Sequence, residues 1–163
     1  MDGKYMGTTQ RNFEKLLKFG QEGEHEVAKY LIEKDVSVLP LYQFDAEEAP
    51  YIVNMDNKLI SPDLICFNKV SFFVEVKTKN QWVEFNGSLE TGLNKRHYLH
   101  YLEISKATNL QVYLFFNHKQ KEPLGIYCCK LEDFTREWDG MYNNVRKSPS
   151  MVFYDYSVLT KII

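Results

Sequence analysis

Two acids and a lysine sit in a stretch that otherwise reads as buried. In residues 61–79, SPDLICFNKVSFFVEVKTK, the runs LICF and FFVEV read as short strands joined by a polar Asn68-Lys69 turn. Asp63, Glu75 and Lys77 lie within or beside them. Side chains alternate along a strand, so Glu75 and Lys77 share one face while Val74 and Val76 take the other. If the two strands pair as a hairpin, Asp63 arrives near Glu75, with about 5 Å between the Cβ atoms of direct cross-strand neighbours. Two carboxylates brought together repel unless a cation lies between them. Hard oxygen donors with room for water and phosphate are what Mg²⁺ prefers. A charged lysine cannot be a ligand, but it can orient a water and offset charge developing on a phosphate. The set as a whole suits hydrolysis of a phosphodiester. The plain alternative is an exposed Glu75/Lys77 ion pair, worth up to about 1 kcal/mol, with Asp63 a turn residue.

The elements that must position these side chains follow from pattern. Pro62 fixes its own φ and restricts Ser61, which anchors Asp63 at the mouth of its strand. Residues 9–34 read as a helix with two apolar patches. Gly20 and Gly23 lie between the patches, each costing about 1 kcal/mol in a helix interior, so they mark a break or a close approach to the backbone. Residues 36–44 read as a strand interrupted by Pro40, hence an edge or a bulge. Residues 51–53 and 58–60 flank an Asp56-Asn57 turn. Residues 80–93 lack a clean period and read as a loop. Residues 94–108 read as a second helix, with Tyr98, Leu99, Tyr101, Leu102 and Ile104 near one stripe. Strands are expected over 111–116 and 126–131, a short helix over 131–138, and a last strand, suited to an edge, over 151–158. A helix between the strands ending near Lys77 and beginning near Gln111 makes that pair parallel. The expected class is α/β, a mixed central β-sheet flanked by α-helices.

The 163 residues suit one domain with a continuous core. We expect the core over about 10–131 and a C-terminal addition over about 132–163. No apolar run is long enough to cross a bilayer, and the first ten residues lack the apolar stretch of a signal peptide, so an intracellular, cytoplasmic protein with no membrane partner is expected. Three cysteines without a C-x-x-C pair give neither a disulfide framework nor a zinc signature. The net charge of −2 gives no global signal for nucleic acid. Its distribution says more. Residues 77–121 carry seven lysines and arginines against three acids, whereas 44–57 carry four acids and no base. A basic middle can hold a polyanion on one face.

Pro62-Asp63 followed by Glu75-Val76-Lys77 resembles the signature of the PD-(D/E)XK nuclease superfamily. Residues 20–31, GQEGEHEVAKYL, resemble the helix of the branch that contains archaeal Holliday junction resolvases and small RecB-type nucleases. The resemblance implies a restriction-endonuclease-like core and Mg²⁺- or Mn²⁺-dependent hydrolysis of DNA. By it Asp63, Glu75 and the Val76 carbonyl hold the metal, Glu24 on the first helix acts on it directly or through water, and Lys77 orients the attacking hydroxide. Asn94-Lys95-Arg96-His97-Tyr98 resembles the Q-x-x-x-Y motif of exonuclease-type relatives, with Asn in place of Gln. Lys79, Lys95, Arg96 and Tyr98 become the expected nucleic-acid contacts, and Trp82 and Phe85 join the C-terminal segment as candidates for a dimer or DNA surface. Branched or junction DNA is the favoured substrate, and with it a homodimer, since two symmetric cuts need two sites. A DNA-end exonuclease and a non-catalytic DNA-binding protein on the same fold are the alternatives.

Overall fold

The computed structural model describes residues 21–41, 50–53 and 57–163. The chain begins there with helix α1, residues 21–33. Strand β1 (Ser37–Pro40) and the hairpin β2 (Tyr51–Val53) and β3 (Lys58–Ile60) follow. Next come β4 (Leu64–Phe67), β5 (Ser71–Lys79), β6 (Val83–Phe85) and β7 (Ser88–Asn94). Helix α2 (Lys95–Thr108) leads to β8 (Val112–His118) and β9 (Gly125–Lys130). Short strands β10 (Arg136–Trp138), β11 (Met141–Tyr142), β12 (Val145–Arg146), β13 (Met151–Asp155) and β14 (Thr160–Lys161) complete the described chain.

Six strands form the central sheet in the order β1-β4-β5-β8-β9-β14, and β10-β13-β7-β6 form a second sheet. The central sheet is mixed: β5 and β8 run parallel, and the other pairs are antiparallel. Pro40 lacks a donor, and its strand is an edge, as expected.

Each face of the central sheet has its own core. Val27 and Leu31 of α1 pack with Leu64, Cys66, Val74, Val76, Phe115 and Ile126. Opposite, Tyr98, Tyr101 and Ile104 of α2 and Val152 and Tyr154 of the second sheet cover Phe73, Leu114, Phe116 and Cys129. Each such aliphatic or aromatic side chain stabilises by about 1.5–3 kcal/mol when fully buried. The adjacent Cys128 and Cys129 divide between the two cores as strand alternation requires, and all three cysteines are free thiols.

Several elements differ from the sequence expectation. Residues 80–93 contain a hairpin: Asn86 and Gly87 have φ of 50° and 78°, the two-residue turn that Asn-Gly favours. Residues 131–138 are not a helix; a single 3-10 turn, Leu131–Asp133, precedes β10. Strand β13 lies inside the second sheet rather than at an edge, and the last strand is β14. The segment after Leu131 thus supplies strands to both sheets. The expected helix over 9–34 is helical over 21–33, and its earlier part lies outside the described residues, as do 42–44 of the Pro40 strand.

Candidate active site

Strand β5 presents Phe73, Glu75, Lys77 and Lys79 to the α2 side of the sheet, beside Val112, Leu114, Phe116 and His118 of β8. Glu75 is only 2% exposed. One of its oxygens, Oε1, pairs with Lys77 Nζ. The other, Oε2, is buried with no hydrogen-bond partner. An unsatisfied buried carboxylate oxygen is costly, because nothing replaces the water it has lost.

Asp63 reaches this cluster from the end of β4. The β4–β5 ladder stops at Leu64 opposite Val74. Just beyond it, the Val76 N–H donates to Asp63 Oδ2 at 2.7 Å. On the other side, the Leu41 N–H donates to the Asp63 carbonyl at 2.8 Å. The aspartate is therefore held by main chain on both flanks. Burial, then the charge on Glu75, hold its carboxyl well above the usual carboxylate range.

Glu24 comes from the helix on the opposite face. Its neighbour Gly23 is buried against β5, where a Cβ would stand 1.9 Å from Thr78 Oγ1. Only a residue without a side chain lets the helix lie this close, which is the close approach that the paired glycines suggest. Glu24 is half-buried, and its carboxyl is also pushed up, by burial first and by Glu75 second, with Lys77 opposing. Burial works against the Lys77 ammonium, but Glu75, Asp63 and Glu24 outweigh it and raise its pKa. All four side chains thus act on one another. Glu26 points elsewhere and accepts hydrogen bonds from Asn117 and Lys119.

Helix α2 adds two residues that sequence reasoning did not assign to the site. The Tyr101 phenol, buried beside Glu75 and Asp63, is held well above its usual pKa by burial and by those two acids. His97 Nδ1 lies 3.3 Å from the Tyr101 hydroxyl, and burial and Lys77 depress its pKa. The i, i+4 spacing of His97 and Tyr101 was available in the sequence, but the phase of the helix against the sheet was not.

The expected nucleic-acid contacts divide. Tyr98 is 7% exposed and packs on Phe134, so it belongs to the core and not to a DNA surface. Lys79 donates to the Gly92 carbonyl, and burial and Lys77 lower its pKa to about 8, so it is tied inward. Lys95 pairs with Glu137. Arg96 is exposed, and Asn94 caps the helix by accepting the Arg96 N–H at 2.9 Å. Trp82 is no free surface either: it stacks on His118 with ring centroids 3.7 Å apart.

Among the described residues no three His, Cys, Asp or Glu side chains stand in a ready-made metal-holding geometry. The converging donors nevertheless suit a divalent ion. Asp63 and Glu75 offer hard oxygens, and the orphaned Glu75 Oε2 lacks the partner that a cation would supply. In the structure Lys77 holds the other Glu75 oxygen.

The solved structure of Hjc, a Holliday junction resolvase from the archaeal hyperthermophile Archaeoglobus fulgidus, matches 85% of this chain and 90% of its own with a TM-score of 0.54. The two chains share a fold. The sequences are only 12% identical over that match, so the likeness concerns architecture. No family model and no curated protein sequence matches the chain. The mixed sheet flanked by helices is thus the restriction-endonuclease-like arrangement implied by the motif resemblance. Among the described residues no helix is long and apolar enough to cross a membrane.

Proposed function

We propose that the protein is a Mg²⁺- or Mn²⁺-dependent deoxyribonuclease that hydrolyses phosphodiester bonds, with branched or junction DNA as its substrate. One observation carries the reading: three carboxylates and a lysine from α1, β4 and β5 converge, and a buried Glu75 oxygen is left without a partner. A structural ion pair has no need of two additional acids, and their repulsion must be offset by something.

In this reading Asp63, Glu75 and the Val76 carbonyl hold the divalent ion, with Glu24 completing the set directly or through water. A divalent ion held there lowers the pKa of water and offsets charge on the phosphate. The Val76 N–H fixes the Asp63 carboxylate, leaving its second oxygen for a ligand. Lys77, close enough to Glu75 to pair with it, turns its ammonium toward the attacking water and the developing negative charge. Tyr101 keeps its proton beside the two acids, with its hydroxyl 3.3 Å from His97 Nδ1. The junction substrate rests on the resolvase fold of the neighbour, and a two-fold dimer follows from it because both strands must be cut.

The test is incubation of labelled four-way-junction, duplex and single-stranded DNA with the protein in Mg²⁺, Mn²⁺ or EDTA. Cleavage that needs the ion and favours the junction is expected. Binding without cleavage on every substrate in both ions would favour a non-catalytic DNA-binding protein, and stepwise release of mononucleotides would favour an end-directed exonuclease.

A further inference from the structure

Beside the first turn of α2 lies a groove of about 450 Å³ whose walls hold Lys95, Arg96 and His100 on one side and Arg146 of β12 on the other. No acid lines it. A hollow of about 340 Å³ beside α1 mixes Lys29 with Glu26 and Glu33, and one of about 280 Å³ lined by Leu31, Phe72, Tyr113 and Phe115 has neither acid nor base. Among the described residues neither the Arg96 nor the Arg146 guanidinium has an acidic partner. Lys95 differs, since Glu137 already neutralises it. The helix terminus itself is not the attraction, because the Asn94 side chain occupies the Arg96 N–H.

The two walls are rigidly joined. Asn143 and Asn144, with φ of 48° and 59°, form the tight turn between β11 and β12 and place Arg146 opposite Met141. At the base of this hairpin the Lys147 N–H donates to the Gly140 carbonyl at 2.9 Å. The Lys95 N–H donates to the Ser150 carbonyl at 2.8 Å, which fastens the hairpin base to the start of α2. The backbone that carries the two arginines is thus held on both walls. The groove is tied to the segment leading to Asp63: His100, which lines it, accepts the Ile60 N–H on Nδ1 at 3.0 Å.

We propose that this groove carries the DNA backbone leading away from the scissile phosphate, with Arg96 and Arg146 gripping phosphates from its two walls. The inference rests on the nuclease reading above and adds the path of the substrate and a role for the C-terminal hairpin. Guanidinium pairs phosphate oxygens bidentately, and such contacts position a nucleic acid without reading its sequence.

The experiment measures binding of a labelled four-way junction to a cleavage-deficient Lys77→Ala parent across a salt series, alongside cutting by the otherwise wild-type chain. Arg96→Ala and Arg146→Ala should each weaken binding and reduce the log–log salt slope by about one. Arg146→Lys should keep the slope, because it keeps the charge. Lys147→Ala, next to Arg146 but outside the groove, should leave affinity and slope at the parent value. Cutting at subsaturating DNA should fall in the two alanine variants along with the lost binding. A parent that binds DNA while both alanine variants match it in affinity and slope would overturn the groove alone. So would Lys147→Ala weakening binding as much as Arg146→Ala. A parent that binds no DNA would overturn the nuclease reading together with the groove.

Discussion

Two buried glutamates, one in each of the two larger sheets, lead opposite lives. Glu90 on β7 is 4% exposed and Glu75 on β5 is 2% exposed, so burial does not separate them. Glu90 is met by Arg136, whose Nε lies 3.1 Å from each carboxylate oxygen and whose Nη2 adds a further bond. The guanidinium is sandwiched between Phe85 and Phe153, at 4.0 and 4.2 Å from the ring centroids. Charge balances, and both oxygens are satisfied. Glu75 shares one lysine with Asp63 and Glu24, and one of its oxygens has no partner. Satisfaction, not depth, distinguishes an ion pair that serves the fold from one held ready for a ligand.

The largest expected effect is on chemistry. Lys77→Ala should leave DNA binding mostly intact and lower the single-turnover cleavage rate by about 10²–10³-fold, the usual loss when one transition-state donor is removed. Unchanged cutting would rule out its role. Next, Glu90→Gln should cost about 3 kcal/mol of stability, because it strands a packed arginine, while the folded fraction cuts DNA at the wild-type rate. A denaturant titration and a cleavage assay on the same sample check both halves. Third, Mg²⁺ at a hundred times its dissociation constant should stabilise the wild type by about 2.7 kcal/mol and give Glu75→Gln nothing, as followed by thermal melting. Equal stabilisation of both would place the ion elsewhere.

The smallest effect concerns pH. Asp63 and Glu24 both have raised pKa values, through burial and then Glu75. A carboxyl raised on folding binds its proton more tightly in the folded state. In the metal-free protein the contribution of these two carboxyls to stability is then fullest below the ordinary carboxylate range and is lost as pH climbs to the raised values. Between about pH 4 and neutral, the wild type should lose melting temperature relative to Asp63→Asn. A constant difference across that range would mean that Asp63 is not perturbed.

Much of the site was legible because it depends on local pattern. The β4–β5 hairpin and the parallel β5–β8 pair follow from alternation, a short turn and one crossover helix, whereas the hairpin's register, Leu64 opposite Val74, comes only from the folded chain. Gly23 stood out because a glycine inside a helix needs a reason. The second sheet was not legible. In β7 the buried residues are Glu90, Thr91, Gly92 and Leu93, so polar groups occupy positions where apolar ones would announce a strand. Their burial is made possible by Arg136 and β13, which arrive from more than forty residues away. The Asn86-Gly87 turn was a readable signal without flanking alternation to support it. Tyr98 and Tyr101 sit three residues apart on one helix, and only the docking of α2 decides which one meets the acids.

The contact at Gly23 has a consequence for how the cluster could be taken apart. A single methyl at that position would wedge the helix off the strand at Thr78 and carry the glutamate beside it away. The contributions from β4 and β5 would stay where they are. One carbon atom would uncouple the acid borne by the helix from the three groups borne by the sheet, without altering the charge of any of them.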